Sequence, residues 1–227
     1  MKFASGAWWY VVPLLLLAFP AFVVSPMLGG LFVIGAAGTL FFFRDPERTP
    51  PFTGIVSPAD GKISEIRTEG DQLRVCIFMN VHDVHVVRAP DDGVVQHVEH
   101  ESGGYRPAFS KESDRNEKVR IGFPDSEVTM IAGAFARRIT PYVEAGDELE
   151  RADRLGHIAF GSRVDVLLPP EIRYPDLRVE RGEKLTAGET KIASKPGAND
   201  EWEWPESTDS AGTVEADETD ESAEPAD

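Results

Sequence analysis

Charged side chains are absent from Phe3 to Phe43, a run about twice the ~20 residues that cross a ~30 Å hydrocarbon core. Ser25-Pro26 and Gly29-Gly30 interrupt it with turn chemistry. This predicts two apolar segments, one near 7–24 and a shorter one near 28–43 that either spans or re-enters. Lys2 precedes the run, Arg44 and Arg48 follow it, and the Ser25-Pro26 turn has no basic neighbour. A helical hairpin therefore places every flanking cation on the cytoplasmic side, with Trp8, Trp9 and Tyr10 at the interface. Pro13 and Pro20 are tolerable there, because neighbouring groups satisfy the freed carbonyls. A signal peptide is the competing reading, but the run is too long and lacks a small-x-small cleavage site.

Beyond Arg44-Asp45-Pro46-Glu47-Arg48-Thr49-Pro50-Pro51 the pattern changes to short apolar stretches at 55–56, 62–66, 73–79, 84–87, 94–98, 119–121, 128–131, 158–160 and 164–168. Gly, Pro, Asp and Asn separate them, and long windows of helical period are lacking. Short strands at this spacing predict a mainly β domain, a compact barrel or sandwich. Residues 132–139 fit a short helix or a strand. Residues 179–192 read as a hairpin with Gly182 and Gly188 at its turns. The predicted organisation is a membrane-anchoring hairpin over 1–48, a β domain over 49–198 and a disordered acidic tail over 199–227, where too little apolar surface remains to offset ordering entropy.

Charge sharpens this division. The chain has 227 residues and a net charge of −16, of which the twelve acids after Asn199, with no Lys or Arg, supply −12, leaving about −4 for the rest. Without a basic stripe, nucleic acid is not a partner. The acidic balance fits a high-salt cytoplasm. A single cysteine, Cys76, excludes an internal disulfide and disfavours a cysteine metal site; it reads as a small core residue.

Three islands carry reactive groups. Val56-Ser57-Pro58-Ala59-Asp60-Gly61-Lys62-Ile63 holds an acid in a turn, ordinarily bonded to its own backbone. Asn80-Val81-His82-Asp83-Val84-His85-Val86-Val87-Arg88 holds two imidazoles, with alternation setting His85 and Val87 on one face and Val84, Val86 and Arg88 on the other. His82 and His85 lack a third ligand at convincing spacing, so no metal site is predicted. Phe160-Gly161-Ser162-Arg163-Val164 holds a hydroxyl after a glycine, an arrangement that most often marks a turn. Together Asp60, His85 and Ser162 supply the groups of a nucleophilic triad, although the Gly-x-Ser-x-Gly elbow of a hydrolase is missing. His157 reads as packing. From these residues alone a membrane-tethered serine hydrolase and a non-enzymatic β scaffold both remain open.

Five islands, Phe-Phe-Arg-Asp-Pro-Glu-Arg (42–48), Val-Ser-Pro-Ala-Asp-Gly-Lys-Ile (56–63), Asp-Val-His-Val-Val-Arg-Ala-Pro (83–90), Asn-Glu-Lys-Val (116–119) and Phe-Gly-Ser-Arg-Val-Asp (160–165), occur in an order that resembles the short, membrane-anchored form of the phosphatidylserine decarboxylase family. The resemblance runs to about Ile192. It implies a proenzyme that cuts itself between Gly161 and Ser162, with His85, oriented by Asp60, as base. It implies a covalent pyruvoyl group derived from Ser162, and chains 1–161 and 162–227 held as a heterodimer. The pyruvoyl carbonyl would take up electrons as carbon dioxide leaves a phosphoserine-headed membrane lipid, phosphatidylserine or, in a halophilic archaeon, archaetidylserine. Arg88 and His82 are the candidate head-group contacts. Long forms of the family carry a second His where this chain has Arg88, so the decarboxylation step falls to His85 or His82.

Overall fold

The computed structural model describes residues 2–104, 115–133, 138–159 and 162–197. Phe160, Gly161, the middle of the undecided 132–139 stretch and the expected tail at 199–227 lie outside the described residues.

The apolar run forms two helices. After β1 (Lys2–Phe3), α1 (Ala7–Val24) and α2 (Pro26–Phe42) form an antiparallel pair joined at Ser25, and β2 (Arg44–Asp45) returns to pair with β1. At 18 residues and 1.5 Å per residue, α1 is about 27 Å long, and its composition and length suit a membrane span; α2 has 17 residues. The second helix begins two residues before its predicted start because proline suits a first helical turn. Both helices are apolar on every face, and Trp9, Phe19, Val23 and Met27 are largely exposed. The helices touch where Gly29 meets Phe22, since a Cβ at Gly29 would stand 2.3 Å from the Phe22 ring.

The remainder is mainly β. In chain order the strands are β3 (Ile55–Val56), β4 (Gly61–Glu69), β5 (Gln72–Met79), β6 (Val86–Arg88), β7 (Gly93–Val94), β8 (His97–Glu101), β9 (Lys118–Gly122), β10 (Glu127–Ala132), β11 (Ile139–Pro141), β12 (Glu148–Leu149), β13 (Arg154–Ile158), β14 (Ser162–Leu167), β15 (Lys184–Leu185) and β16 (Lys191–Ala193). A seven-stranded antiparallel sheet runs β15-β4-β5-β14-β10-β9-β8. A three-stranded sheet, β11-β13-β6, and the pairs β12-β7 and β16-β3 complete a sandwich-like fold. Pro141 sits on an edge strand, where its missing N–H breaks no ladder.

Alternation builds the core. Leu73, Val75, Ile77 and Met79 on β5, Val164 and Val166 on β14, and Val128 and Met130 on β10 are all buried in one cluster with Leu155 and Ile158 of β13. The other face of the same strands carries Arg74, Arg163, Asp165 and Glu127, held in ion pairs such as Arg163 Nε to Asp165 Oδ1 at 2.8 Å. Cys76 lies on that face, buried, and burial pushes its thiol up to about 12.

Two expectations change. Residues 179–192 are not a hairpin: β15 pairs with β4 and β16 with β3. Gly182 and Gly188 do turn the chain at positive φ, but the flanking strands find partners far away in sequence. The 94–98 strand divides into β7 and β8, which belong to different sheets.

Candidate active site

Three segments converge at the foot of the helical hairpin. The first is the end of β14, where Ser162 is the first strand residue. Its register sets it opposite Met79 on one side and Ala132 on the other, and the alternation that buries Val164 and Val166 turns Ser162 the same way. The residue is fully buried, and its Oγ donates to Met79 Sδ at 3.2 Å. A thioether is a weak acceptor, so this contact holds the hydroxyl loosely. Gly161, the other half of the expected cleavage site, lies outside the described residues.

The second is the 80–85 loop. Asp83 Oδ2 accepts from Asn80 N at 2.8 Å and Asp83 N donates to Asn80 O at 3.0 Å, closing a tight turn. That turn aims the Asp83 carbonyl at His85 Nδ1, 2.9 Å away. A carbonyl only accepts, so the neutral ring carries its proton on Nδ1 and presents a lone pair at Nε2. That Nε2 is buried and has no hydrogen-bond partner among the described residues. Burial holds His85 down to about 4, with the Asp83 carbonyl opposing, so it is neutral at ordinary pH. His85 precedes β6 rather than lying in it, so strand alternation does not set its direction. Its ring lies 4.2 Å from that of Phe42, at the end of α2.

The third is β13. Ile158 N donates to His85 O at 3.2 Å, and three residues then lead to Ser162. That link spans at most about 14 Å from Ile158 to Ser162, which ties base and hydroxyl to one region. His157, next to Ile158, is buried, and its Nδ1 lies 2.8 Å from Tyr142 Oη, which accepts from Ser5 N. Burial also holds His157 down to about 4. A second apolar cluster of Ala4, Ala7, Phe42, Phe43, Val84, Val86 and Ala159 fills the space between hairpin and loop.

The other expected site residues stand elsewhere. Asp60 receives Arg48 Nη2 on both oxygens at 3.0 Å and Ala187 N on Oδ1 at 2.8 Å. No described hydrogen bond joins it to His85, whose Nδ1 is already taken by the Asp83 carbonyl. Arg88 is 4% exposed; its Nη2 reaches Asp45 Oδ1 at 2.7 Å and Pro46 O at 2.8 Å, and its Nη1 reaches Ala152 O at 2.8 Å. Its guanidinium therefore locks the hairpin exit onto the β domain instead of facing a ligand. Arg154 takes the second oxygen of the same Asp45. His82 is exposed, its Nε2 3.7 Å from Asp83 Oδ1, and its carbonyl accepts from Arg44. Among the described residues no cluster of three or more His, Cys, Asp or Glu is disposed to hold a metal.

Asp83 and the Tyr142–His157 pair escaped the sequence reading. Asn80-x-x-Asp83 signals a capped turn, but its effect on His85 passes through a carbonyl that every residue possesses. Tyr142 and His157 meet only through the pairing of β11 with β13.

Comparison with known proteins identifies relatives of this chain. The chain is 54% identical over 193 residues to a protein of Halobacterium salinarum provisionally named archaetidylserine decarboxylase proenzyme, covering 84% of this chain and 98% of that one. It is 51% identical over 162 residues to the phosphatidylserine decarboxylase proenzyme of Streptomyces avermitilis, covering 69% and 74% respectively. A provisionally named archaetidylserine decarboxylase proenzyme of Methanococcoides burtonii is 44% identical over 162 residues, with the same coverage. The profile of phosphatidylserine decarboxylase matches residues 36–193, and the chain belongs to the phosphatidylserine decarboxylase family.

Proposed function

We propose that this chain is a self-cleaving proenzyme whose matured form decarboxylates a phosphoserine-headed membrane lipid. The observation that carries the reading is a buried serine beginning a central strand, separated by three residues from Ile158, whose N–H bonds the carbonyl of a neutral histidine with a buried Nε2 that has no partner among the described residues.

In the maturation step His85 Nε2 takes the Ser162 hydroxyl proton and Oγ attacks the Gly161 carbonyl carbon. The Gly161–Ser162 peptide bond breaks as its nitrogen is protonated, leaving an ester. Removal of the Ser162 α-proton then breaks the Cβ–Oγ bond and frees the Gly161 carboxylate. The dehydroalanine left at position 162 adds water and loses ammonia to become a pyruvoyl group. The Asp83 carbonyl holds the required tautomer of His85, the orienting task expected of Asp60; Asp60 instead ties Arg48 of the hairpin exit to the Ala187 backbone.

The site suits the group. Ser162 is fully buried, opposite Met79 and Ala132 of the main apolar core, and a dry setting favours loss of a carboxylate whose charge disperses in the transition state. The pyruvoyl carbonyl supplies an electron sink for that carboxylate's bonding pair. His85 is placed to return a proton to the substrate carbon, a role worth ~10²–10⁴-fold, and His82, exposed beside Arg44, is a head-group contact.

Lys2, Arg44 and Arg48 flank the end of the hairpin that bears the β domain, a distribution that favours the cytoplasmic side for that domain by the positive-inside rule. The acidic composition and the archaeal relatives favour ether-linked isoprenoid tails. The test is the intact mass of purified protein, expected as two pieces, 1–161 and 162–227, with release of carbon dioxide from phosphatidylserine or archaetidylserine vesicles. Ser162→Ala is expected to remain whole and inactive. An uncleaved but active wild-type chain, or one labelled at Ser162 by a fluorophosphonate, overturns the reading.

A further inference from the structure

With Arg88 committed to Asp45, the lipid phosphate lacks the cation expected for it. A cavity of about 270 Å³ lies between the start of α1 and the β11–β13 pair. Strand alternation sets Arg138 and Thr140 on one face. The pairing of Thr140 with His157 brings His157 and Ala159 to the same face, and Ser5, Trp9 and Tyr10 close the opposite wall. In a chain with 39 Asp and Glu residues, no carboxylate of the described residues lines this cavity. Arg138 is exposed, and its side chain makes no hydrogen bond or ion pair to another described residue.

The polar side chains present can all donate. Ser5 N donates to Tyr142 Oη, which lies 2.8 Å from His157 Nδ1. In the tautomer that accepts the Tyr142 proton at Nδ1, the neutral His157 ring carries its own proton on Nε2. A guanidinium, an imidazole N–H and a hydroxyl beside an aromatic wall form an anion site with room for a few carbons. Its depth matches a lipid phosphate, because Trp9 and Tyr10 mark the level of the head groups. Ala159 puts the cavity three residues from Ser162.

We propose that this cavity is the subsite for the phosphodiester of the lipid head group, with Arg138 as its cation and Thr140 and His157 as donors. The assignment rests on the decarboxylase reading above and adds the group that fixes the substrate's orientation. The serine carboxylate is the wrong anion for it: an arginine bound there would stabilise the charge that the reaction must disperse, holding back the transition state. Arg suits phosphate bidentately, which Lys does not reproduce.

The experiment uses full-length protein in nanodiscs with two readouts. In the Ser162→Ala background, binding of dihexanoyl phosphatidylserine is followed by ³¹P line broadening, with inorganic phosphate as a second probe. Arg138→Ala is expected to weaken lipid binding about tenfold or more, the loss of one charged hydrogen-bonding partner. Arg138→Lys falls between, and Thr140→Val has a smaller effect. In the otherwise native protein, Arg138→Ala raises KM for the serine lipid more than it lowers kcat, with turnover referred to the amount of cleaved chain on the same gel. Lipid binding and KM that ignore Arg138 overturn the subsite, as does an Arg138 dependence seen for inorganic phosphate alone. Arg138-dependent lipid binding in a protein that releases no carbon dioxide overturns the reaction and leaves the subsite standing. Carbon dioxide release insensitive to Arg138 does the reverse.

Discussion

Self-cleavage should be nearly indifferent to pH across the range where an ordinary histidine fails. The perturbation is a drop from pH 8 to pH 5.5. His85 is held to about 4 by burial. At pH 5.5 about 97% of it remains neutral and able to accept the Ser162 proton, against about 9% for an unperturbed histidine at ~6.5. The same shift has a cost in stability. A depressed histidine pKa means the unfolded chain binds more protons below ~6.5, so the stabilisation is complete above that value and is lost as pH falls toward about 4. His85 and His157, each at about 4, together remove roughly 3 kcal/mol at pH 5.5, within the ~5–15 kcal/mol of a typical domain. Precursor made by cell-free synthesis into nanodiscs at pH 8 and shifted to each test pH should convert to two bands at nearly constant rate down to pH 5.5. Circular dichroism on the same samples confirms that the fold survives. A rate that halves near 6.5 and falls to a tenth at 5.5 in folded protein would refute the assignment of the buried His85 lone pair as the base.

Two further outcomes follow from buried groups. Asp45→Asn should destabilise the uncleaved Ser162→Ala chain by about 3–5 kcal/mol, or roughly 6–20 °C in Tm, because Arg88 is 4% exposed and loses its anion; the partly exposed Arg154 adds little. A melting shift under about 3 °C would show that Arg88 finds other compensation. Cys76, buried and pushed up to about 12, should resist maleimide in the folded protein and react at once in denaturant.

What the sequence shows well is whatever one local period decides. The charge-free run with its Ser25-Pro26 break predicts both helices, and the alternation through 73–79, 128–131 and 164–168 predicts the central strands. What it hides is set by pairing across long separations. Residues 179–192 carry genuine turn glycines, yet β15 and β16 are claimed by β4 and β3, more than 120 residues earlier. Among the site residues, Ser162 and His85 stand where burial makes their chemistry distinctive. Asp60 and Arg88 are charges whose value depends on which opposite charge arrives first, and Arg48 and Asp45, both from the hairpin exit, reach them. A sequence names the ions and leaves their pairing open. The orientation of His85 was equally invisible, since a backbone carbonyl performs it.

Ser162 begins a strand that is hydrogen-bonded on both flanks, to β5 and to β10. Among the described residues this strand, β15 and β16 take their strand partners from before Gly161, with one bridge between Ala193 and Leu177 besides. A chain severed ahead of Ser162 is therefore a two-piece sheet with its seam in the interior, where neither fragment has a surface it can present alone. Parting the pieces would require tearing open the central sheet and exposing Val164 and Val166 to water. Such a pair would be made once, from one molecule. It would not exchange halves with its neighbours, and its survival would not depend on dilution over the life of the fold.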